Sequence, residues 1–104
     1  MSVDMVDQET ADTVEVEVYE AASRDESIIA VVGRRGQTLG VQLEDAAMKL
    51  TEADLAYRVI KLNTLAHLRS QLARRQEMEA AGFTVSRSLP TAEQVAAYEA
   101  MIEF

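Results

Sequence analysis

The longest stretch of the chain without a helix breaker restricts its fold more than any other feature. Between Gly40 and Gly82 the sequence contains neither glycine nor proline. Thr51 is placed to cap a helix, with Asp54 three residues later where a capping box usually has glutamate or glutamine. Gly82 is a natural residue to follow the last turn. We therefore predict one helix from about residue 52 to residue 81, roughly 45 Å long.

Such a helix is long for a 104-residue chain, since a compact domain of this size has a radius of gyration of only about 13 Å. Part of it should therefore extend past the sheet on which it packs. Two apolar stripes at helical spacing follow its length: Leu55, Val59, Leu62, Ala66 and Ala73 form the first, and Leu65, Leu68 and Leu72 form the second. Together they are wider than packing on one small sheet requires. The second stripe is predicted to contact either the C-terminal segment or a partner helix, and we favour a second copy of the chain.

Three strand patterns precede the helix. From Thr13 the residues alternate, with Val14, Val16 and Val18 predicted to face inward and Glu15, Glu17 and Glu20 outward. A β-branched run from residue 28 to residue 32 suits a central strand covered on both faces or lying at a partner interface. A third strand alternates again, with Leu39, Val41 and Leu43 on one side. Strands joined by short polar turns predict an antiparallel meander.

Gly33-Arg34-Arg35-Gly36 lies between the second and third strand patterns. A G-x-x-G loop that binds nucleic-acid backbone in KH domains joins two helices, whereas this one is flanked by strands. The two arginines fit the centre of a type I turn, and Gly36 fits the left-handed position that only glycine adopts at low cost. We interpret the segment as a hairpin turn whose arginines project at the tip.

The C-terminal part predicts a second, short helix. Pro90 precedes Thr91, a helix cap that Gln94 completes as a capping box. Val95, Tyr98 and Ile102, with Met101 beside them, form its apolar face. The predicted fold class is thus α+β, a three-stranded antiparallel meander packed with one long helix, plus a short C-terminal helix. Residues 1–12 are predicted to be a flexible acidic tail and residues 13–104 a single domain.

The charge of the chain is acidic and unevenly distributed. It has 18 acidic and 10 basic residues, for a net charge of −8. Residues 1–27 hold nine of the acids and one arginine, whereas residues 28–82 hold six acids and eight bases. Nucleic-acid binding depends on basic side chains that neutralise phosphates. The acidic N-terminal part therefore disfavours a nucleic-acid partner, while the basic centre leaves that alternative open.

The cellular compartment is expected to be the cytoplasm. The chain has no cysteine, which removes disulfides and thiol chemistry and fits a cytosolic protein. Its first residues have no basic start followed by an apolar run, as a secretory signal would. No stretch approaches the roughly 18 apolar residues of a membrane span. We expect a soluble protein.

Candidate chemical sites are few, and we expect no enzyme activity, cofactor or metal. The single histidine, His67, falls on the polar side of the long helix without a strong metal ligand nearby, and is interpreted as a solvated surface residue. No nucleophile elbow, phosphate loop or dinucleotide fingerprint is present. Two arginine pairs are candidate contacts for an anion: Arg34, Arg35, Arg74 and Arg75. Ordinary surface charge, with Arg75 paired to Glu79, is the favoured alternative.

The order of these motifs resembles a known family. The segment SIIAVVGRRGQTLGVQLEDAAMKLTEADLAYRVIKLNTLAHLRSQLARRQ, with its strand, G-x-x-G turn, strand and long helix, resembles the YbaB/EbfC family of small nucleoid-associated proteins. Within that group it looks more like the EspH-type accessory proteins of mycobacterial type VII secretion. There too an acidic leader precedes the strands, and Leu89-Pro90-Thr91-Ala92-Glu93 matches the "L-P-T-x-E" that opens a short alanine-rich helix.

This resemblance implies a YbaB-like α+β homodimer. The EspH-like side implies a cytosolic accessory or chaperone-like role in type VII secretion, through contacts with another protein. YbaB/EbfC proteins also place a helix before the sheet, and DNA binding is associated with the outer helices of their dimer. Here an acidic tail replaces that leading helix, so no DNA-contact residues are carried over. We therefore expect a non-enzymatic homodimeric interaction protein with Leu65, Leu68 and Leu72 at the interface, and the alternative is a nucleoid-associated DNA binder.

Overall fold

The structure, a computed structural model, describes residues 17–104. The predicted tail at 1–12, together with Val14, Glu15 and Val16, lies outside the described residues. Six elements follow in order: β1 (Val18–Ala22), β2 (Ile28–Gly33), β3 (Thr38–Leu43), a 3-10 turn (Ala47–Lys49), α1 (Glu52–Ala80) and α2 (Ala92–Ala100). The strands form one antiparallel sheet in the order β1-β2-β3. The predicted α+β architecture is confirmed.

One face of the sheet packs on α1 and forms the core. Ile28, Ala30 and Val32 of β2 are completely buried there. On β1, residues Tyr19 and Ala21 pair with Val32 and Ala30 and share that face. The prediction that Val18 points inward is therefore wrong: it lies on the opposite face with Glu20 and is exposed. The valines of the alternating run occupy even positions, whereas the register with β2 turns the odd positions toward the helix.

Helix α1 begins and ends where its local signals predict. The Thr51 hydroxyl accepts a hydrogen bond from the Asp54 N–H at the first turn. At the other end Gly82 adopts a φ of 88°. The N–H groups of Gly82 and Phe83 donate to the carbonyls of Glu79 and Met78, which is the Schellman arrangement. The 29 residues of α1 thus form one continuous helix about 44 Å long.

Helix α2 and the last residues pack along one side of α1. Thr91 and Gln94 form the predicted capping box. Val95 is buried in the same cluster as Leu62 and Leu65, with Tyr98, Ile102 and Phe104 packed against it. Within the second leucine stripe, Leu65 therefore meets the C-terminal segment, which is the less favoured of the two predicted alternatives. A nine-residue helix is enough to cover it because Val95, Tyr98 and Ile102 recur on one face.

The predicted turn at Gly33–Gly36 is confirmed. The Gly36 N–H donates to the Gly33 carbonyl at 2.9 Å, and the Gly33 N–H donates to the Gln37 carbonyl at 2.8 Å. Gly36 has a φ of 88°. These two bonds and the left-handed glycine define a type I turn followed by a G1 bulge. Arg34 and Arg35 consequently occupy the tip of the β2–β3 hairpin, where both are exposed.

The β1–β2 connection is closed by polar side chains. One Asp25 carboxylate oxygen accepts hydrogen bonds from the Ser27 N–H and the Ser23 hydroxyl. These bonds, that from Ser27 first, hold the pKa of the Asp25 carboxyl below its usual value. The Ser23 oxygen also accepts from the N–H of Ile28, so the buried serine is satisfied. This turn positions β2 for its pairing with β1.

Within residues 17–104 neither helix carries an apolar stretch long enough to cross a lipid bilayer.

Candidate interaction surface

Strand β3 lies at an edge of the sheet and is only partly covered. It pairs with β2 on one side and has no strand on the other within the described residues. Val41 and Leu43 stand opposite Ala30 and Ile28, so they share the face that α1 packs on. Helix α1 lies mainly over β1 and β2, however, and leaves Leu39, Val41 and Leu43 exposed by 51, 36 and 40%. Val41 and Leu43 therefore share the predicted apolar face, which is uncovered, whereas a β-bulge at Leu39 interrupts the alternation before them.

Two hydrogen bonds align α1 with β3 and show which part of the helix borders this face. The Gly36 carbonyl lies 3.0 Å from Nδ1 of His67, and Oγ1 of Thr38 donates to Oδ1 of Asn63 at 3.0 Å. The strand and the helix therefore run in opposite directions. Ile60 precedes Asn63 by three residues and His67 by seven, so the three side chains share one side of the helix.

Ile60 is an exposed apolar residue of α1, one turn before the contact between Asn63 and β3. Its side chain is 62% exposed, although its neighbour one turn later, Asn63, contacts β3. Leu39, Val41 and Leu43 of β3 and Ile60 of α1 are called the β3 groove below. Scattered apolar residues at a surface are ordinary, whereas neighbouring ones on a strand edge and a helix flank are a candidate interaction surface.

The predicted leucine interface has a different place in the structure. Leu65 belongs to the core and is 3% exposed, so it offers no surface to a partner. Leu68 and Leu72 are half-buried and pack against the same core. The physical reason is the C-terminal segment, which supplies the apolar partner that was expected from a second copy. The β3 groove contains none of these three leucines.

Arg34 and Arg74 are brought together by the fold, although they are 40 positions apart in the sequence. Both line a surface cavity of about 240 Å³ together with Tyr19, Ser70, Glu77 and Met78. Arg34 contacts the carboxylates of Glu77 at 2.9 Å and Glu17 at 3.5 Å. Burial raises the pKa of Tyr19, and Glu17 and Glu77 raise it further against the opposing effect of Arg34. The cavity therefore has acidic as well as basic walls.

Arg35 and Arg75 differ in what they contact. Arg75 is largely enclosed: its guanidinium contacts the Glu79 carboxylate at 3.2 Å and donates to the Leu89 carbonyl at 2.9 Å. The predicted pair between Arg75 and Glu79 is thus present, and it helps to hold the connection to α2. The guanidinium of Arg35 forms no ion pair in residues 17–104. The two predicted arginine pairs therefore do not form one basic surface.

His67 is a structural residue rather than a solvated one. Its ring is half-buried and contacts the Gly36 carbonyl of the hairpin turn. A Cβ at Gly36 would lie 2.7 Å from Cε1 of that ring, closer than a side chain can approach without displacement. The helical spacing of the sequence correctly predicted that His67 lies on a different side of α1 from the leucine stripes. It could not predict the hairpin, which is 31 residues away in sequence.

The described part of the chain contains no group of three or more histidine, aspartate or glutamate side chains arranged to hold a metal ion. No protein-family model, no curated protein and no solved structure matches this sequence or this fold. The inference of function therefore starts from the β3 groove, from the charges around it and from the motif order in the sequence.

Proposed function

We propose that this protein is a non-enzymatic interaction protein that works as a homodimer, in an accessory or chaperone-like role associated with type VII secretion. The observation that carries the interaction role is the β3 groove, in which exposed apolar side chains lie along a strand edge that has no strand partner in the described residues. The association with type VII secretion rests on the resemblance of the motif order to EspH-type proteins. The expected location remains the cytoplasm.

The long helix adds support to the interaction role. Helix α1 continues for 13 residues beyond His67, from the level of the hairpin turn to Ala80, which corresponds to about 20 Å. Two contacts hold this part: Arg34 at the hairpin tip contacts Glu77, and Arg75 of α1 donates to the Leu89 carbonyl in the connection to α2. The rest of this part of α1 extends past the sheet and presents surface on which a partner can pack.

Homodimer formation is tested by light scattering on the purified chain. We expect the wild-type protein to have twice the 11.5 kDa mass of one chain. Ile60→Glu places a charge in the β3 groove and should shift the mass toward the monomer, because a buried unpaired carboxylate is costly. Phe83→Glu is the matched control, since Phe83 has nearly the same exposure, 64%, but lies beyond α1. This control should remain a dimer.

Two results would contradict the proposal. A wild-type chain that stays monomeric at high concentration would exclude the homodimer. A dimer that both variants disrupt equally would mean that the groove is not its interface. Copurification from the native host then tests the accessory role: recovery of the chain with no other protein would count against it.

A DNA-binding role is the second candidate function, and one observation favours it. Arg34 and Arg74 line one cavity, and Arg35 and Arg74 form no ion pair in residues 17–104. Against it, Arg34 is held by two glutamates and Arg75 by Glu79, which leaves few cations to replace the counterions of phosphates.

Fluorescence anisotropy of a labelled DNA duplex tests this second candidate. We expect no binding at physiological salt, since the acidic residues around Arg34 oppose phosphate approach. Binding that weakens steeply with salt would instead support the DNA-binding role. In that case the variant with both Arg35→Ala and Arg74→Ala should reduce the salt dependence by about two released ions. Lys49→Ala, at an exposed lysine in the 3-10 turn that follows the other end of β3, is the matched control.

A further inference from the structure

The two ends of β3 carry opposite charges. Arg34 and Arg35 precede the strand in the hairpin turn, and Glu44 and Asp45 follow it. Arg34 is paired within the chain, but Arg35, Glu44 and Asp45 form no ion pair in the described residues. Their side chains are exposed. The open edge thus has one unpaired cation, Arg35, before its start and two unpaired anions, Glu44 and Asp45, after its end.

We propose that β3 pairs antiparallel with β3 of a second copy about a two-fold axis, which joins the two sheets into one of six strands. This inference rests on the proposed homodimer and names its interface. A two-fold axis through the strand brings the start of β3 in one copy next to its end in the other. Arg35 of each copy then meets Glu44 and Asp45 of the other, so the charges are self-complementary.

The spacing along the strand fits this arrangement. If the pairing is centred on Val41, so that Val41 of one copy lies opposite Val41 of the other, Thr38 at the start of one β3 comes opposite Glu44 at the end of the other. Arg35 precedes Thr38 by three residues in the hairpin turn, so this register brings it beside Glu44 and Asp45 of the other copy. Parallel pairing of the same strands would place like charges side by side, which is destabilising. Charge therefore selects the antiparallel arrangement.

The backbone edge and the apolar side chains of β3 also favour a second copy of the chain as its partner. The outer edge of β3 presents N–H and C=O groups without a strand partner in the described residues, and β3 itself contains no lysine, no proline and no charged residue that would block pairing. A β-bulge at Leu39 bends the strand near its start, where Val31 and Val32 pair with Gly40 and Thr38. Pairing of Gly40, Val41 and Gln42 across the axis leaves that bulge at the margin and brings the two β3 grooves together over the seam.

Charge reversal with mixing tests the pairing directly. In a dimer of Arg35→Glu chains, each introduced carboxylate would face the acids of the other copy. In a dimer of Asp45→Arg chains, each introduced guanidinium would face Arg35. We expect each variant alone to dimerise about tenfold more weakly, since two exposed pairs per dimer are lost and reversed. An equimolar mixture should recover nearly the wild-type affinity as a heterodimer, because the seam then joins opposite charges at both of its ends.

A control variant and a second measurement make the test independent of folding. Arg87→Glu reverses an exposed arginine in the connection between α1 and α2 and should leave the dimer unchanged. The chain has no cysteine of its own, so Val41→Cys introduces a single thiol near the two-fold axis. Oxidation should link Val41→Cys into a covalent dimer, whereas Met101→Cys, on the exposed end of α2, should stay unlinked.

The outcomes separate this inference from the homodimer on which it rests. A wild-type chain that is monomeric in light scattering contradicts both. A wild-type dimer whose charge variants do not recover on mixing, and whose Val41→Cys thiols do not join, contradicts the β3 pairing alone. Recovery on mixing together with the Val41→Cys link supports the antiparallel seam. A link at Met101→Cys instead would move the interface to α2.

Discussion

Replacing Leu65 with alanine is expected to lower the free energy of unfolding by about 2 to 5 kcal/mol, the range for a buried leucine truncated to alanine. Leu65 is 3% exposed and belongs to the cluster that joins α1, β2 and α2. The loss combines the transfer energy of the removed carbons with the cavity that they leave. Urea denaturation followed by circular dichroism measures it.

Ile60→Ala is the matched comparison on the same helix. Its side chain is exposed, so the monomer should lose no more than about 0.5 kcal/mol. In a dimer, Ile60→Ala would also weaken association, and its apparent cost would rise with protein concentration. The cost of Leu65→Ala should arise in the monomer at any concentration. A Leu65→Ala variant as stable as the wild type would return Leu65 to the set of candidate interface residues.

The Gly36→Ala variant is expected to lose about 1 to 2 kcal/mol from the left-handed backbone and about 1 to 3 kcal/mol more from overpacking against His67. Both terms apply because Gly36 has a φ of 88° and its added Cβ would lie 2.7 Å from the imidazole. Thermal or urea unfolding of the two purified proteins measures the sum.

Gly82→Ala separates the two contributions. Gly82 has the same φ of 88°, and an added Cβ there meets nothing within 4 Å, so only the backbone term of about 1 to 2 kcal/mol should appear. Adding His67→Ala to Gly36→Ala should recover part of the steric loss, as a double-mutant cycle with His67→Ala alone would show. Equal losses for Gly36→Ala and Gly82→Ala would mean that the His67 ring moves aside freely.

Local signals accounted for the elements and their ends. The hairpin at Gly33–Gly36, the Thr51 cap, the Gly82 terminus and the capping box of Thr91 and Gln94 all depend on atoms within about five residues of one another. Such interactions join residues that are close together in the sequence, so they can be predicted from it. The strand order also followed, because short turns force consecutive strands to pair.

The candidate site was harder to predict because it consists of apolar side chains that no other element covers. The leucine stripe was predicted correctly as apolar and helical, yet a stripe cannot indicate whether α2 or a second copy covers it. Likewise Leu39, Val41 and Leu43 alternate as a buried strand face does. Their exposure arises because α1 lies over β1 and β2, a lateral position that no local pattern encodes. His67 was misplaced for the same reason, since its partner is the distant turn.

The sequence by itself therefore determined the α+β class, the limits of the long helix and the turn that carries Arg34 and Arg35. The tertiary structure alone decided which faces of those elements meet: Val18 outward, Leu65 inward, His67 against Gly36 and the β3 groove open. The reason is physical. The backbone hydrogen bonds of turns and the helix caps act over a few residues, whereas burial is a property of the whole packed chain. An apolar face is buried only where another part of the fold packs against it.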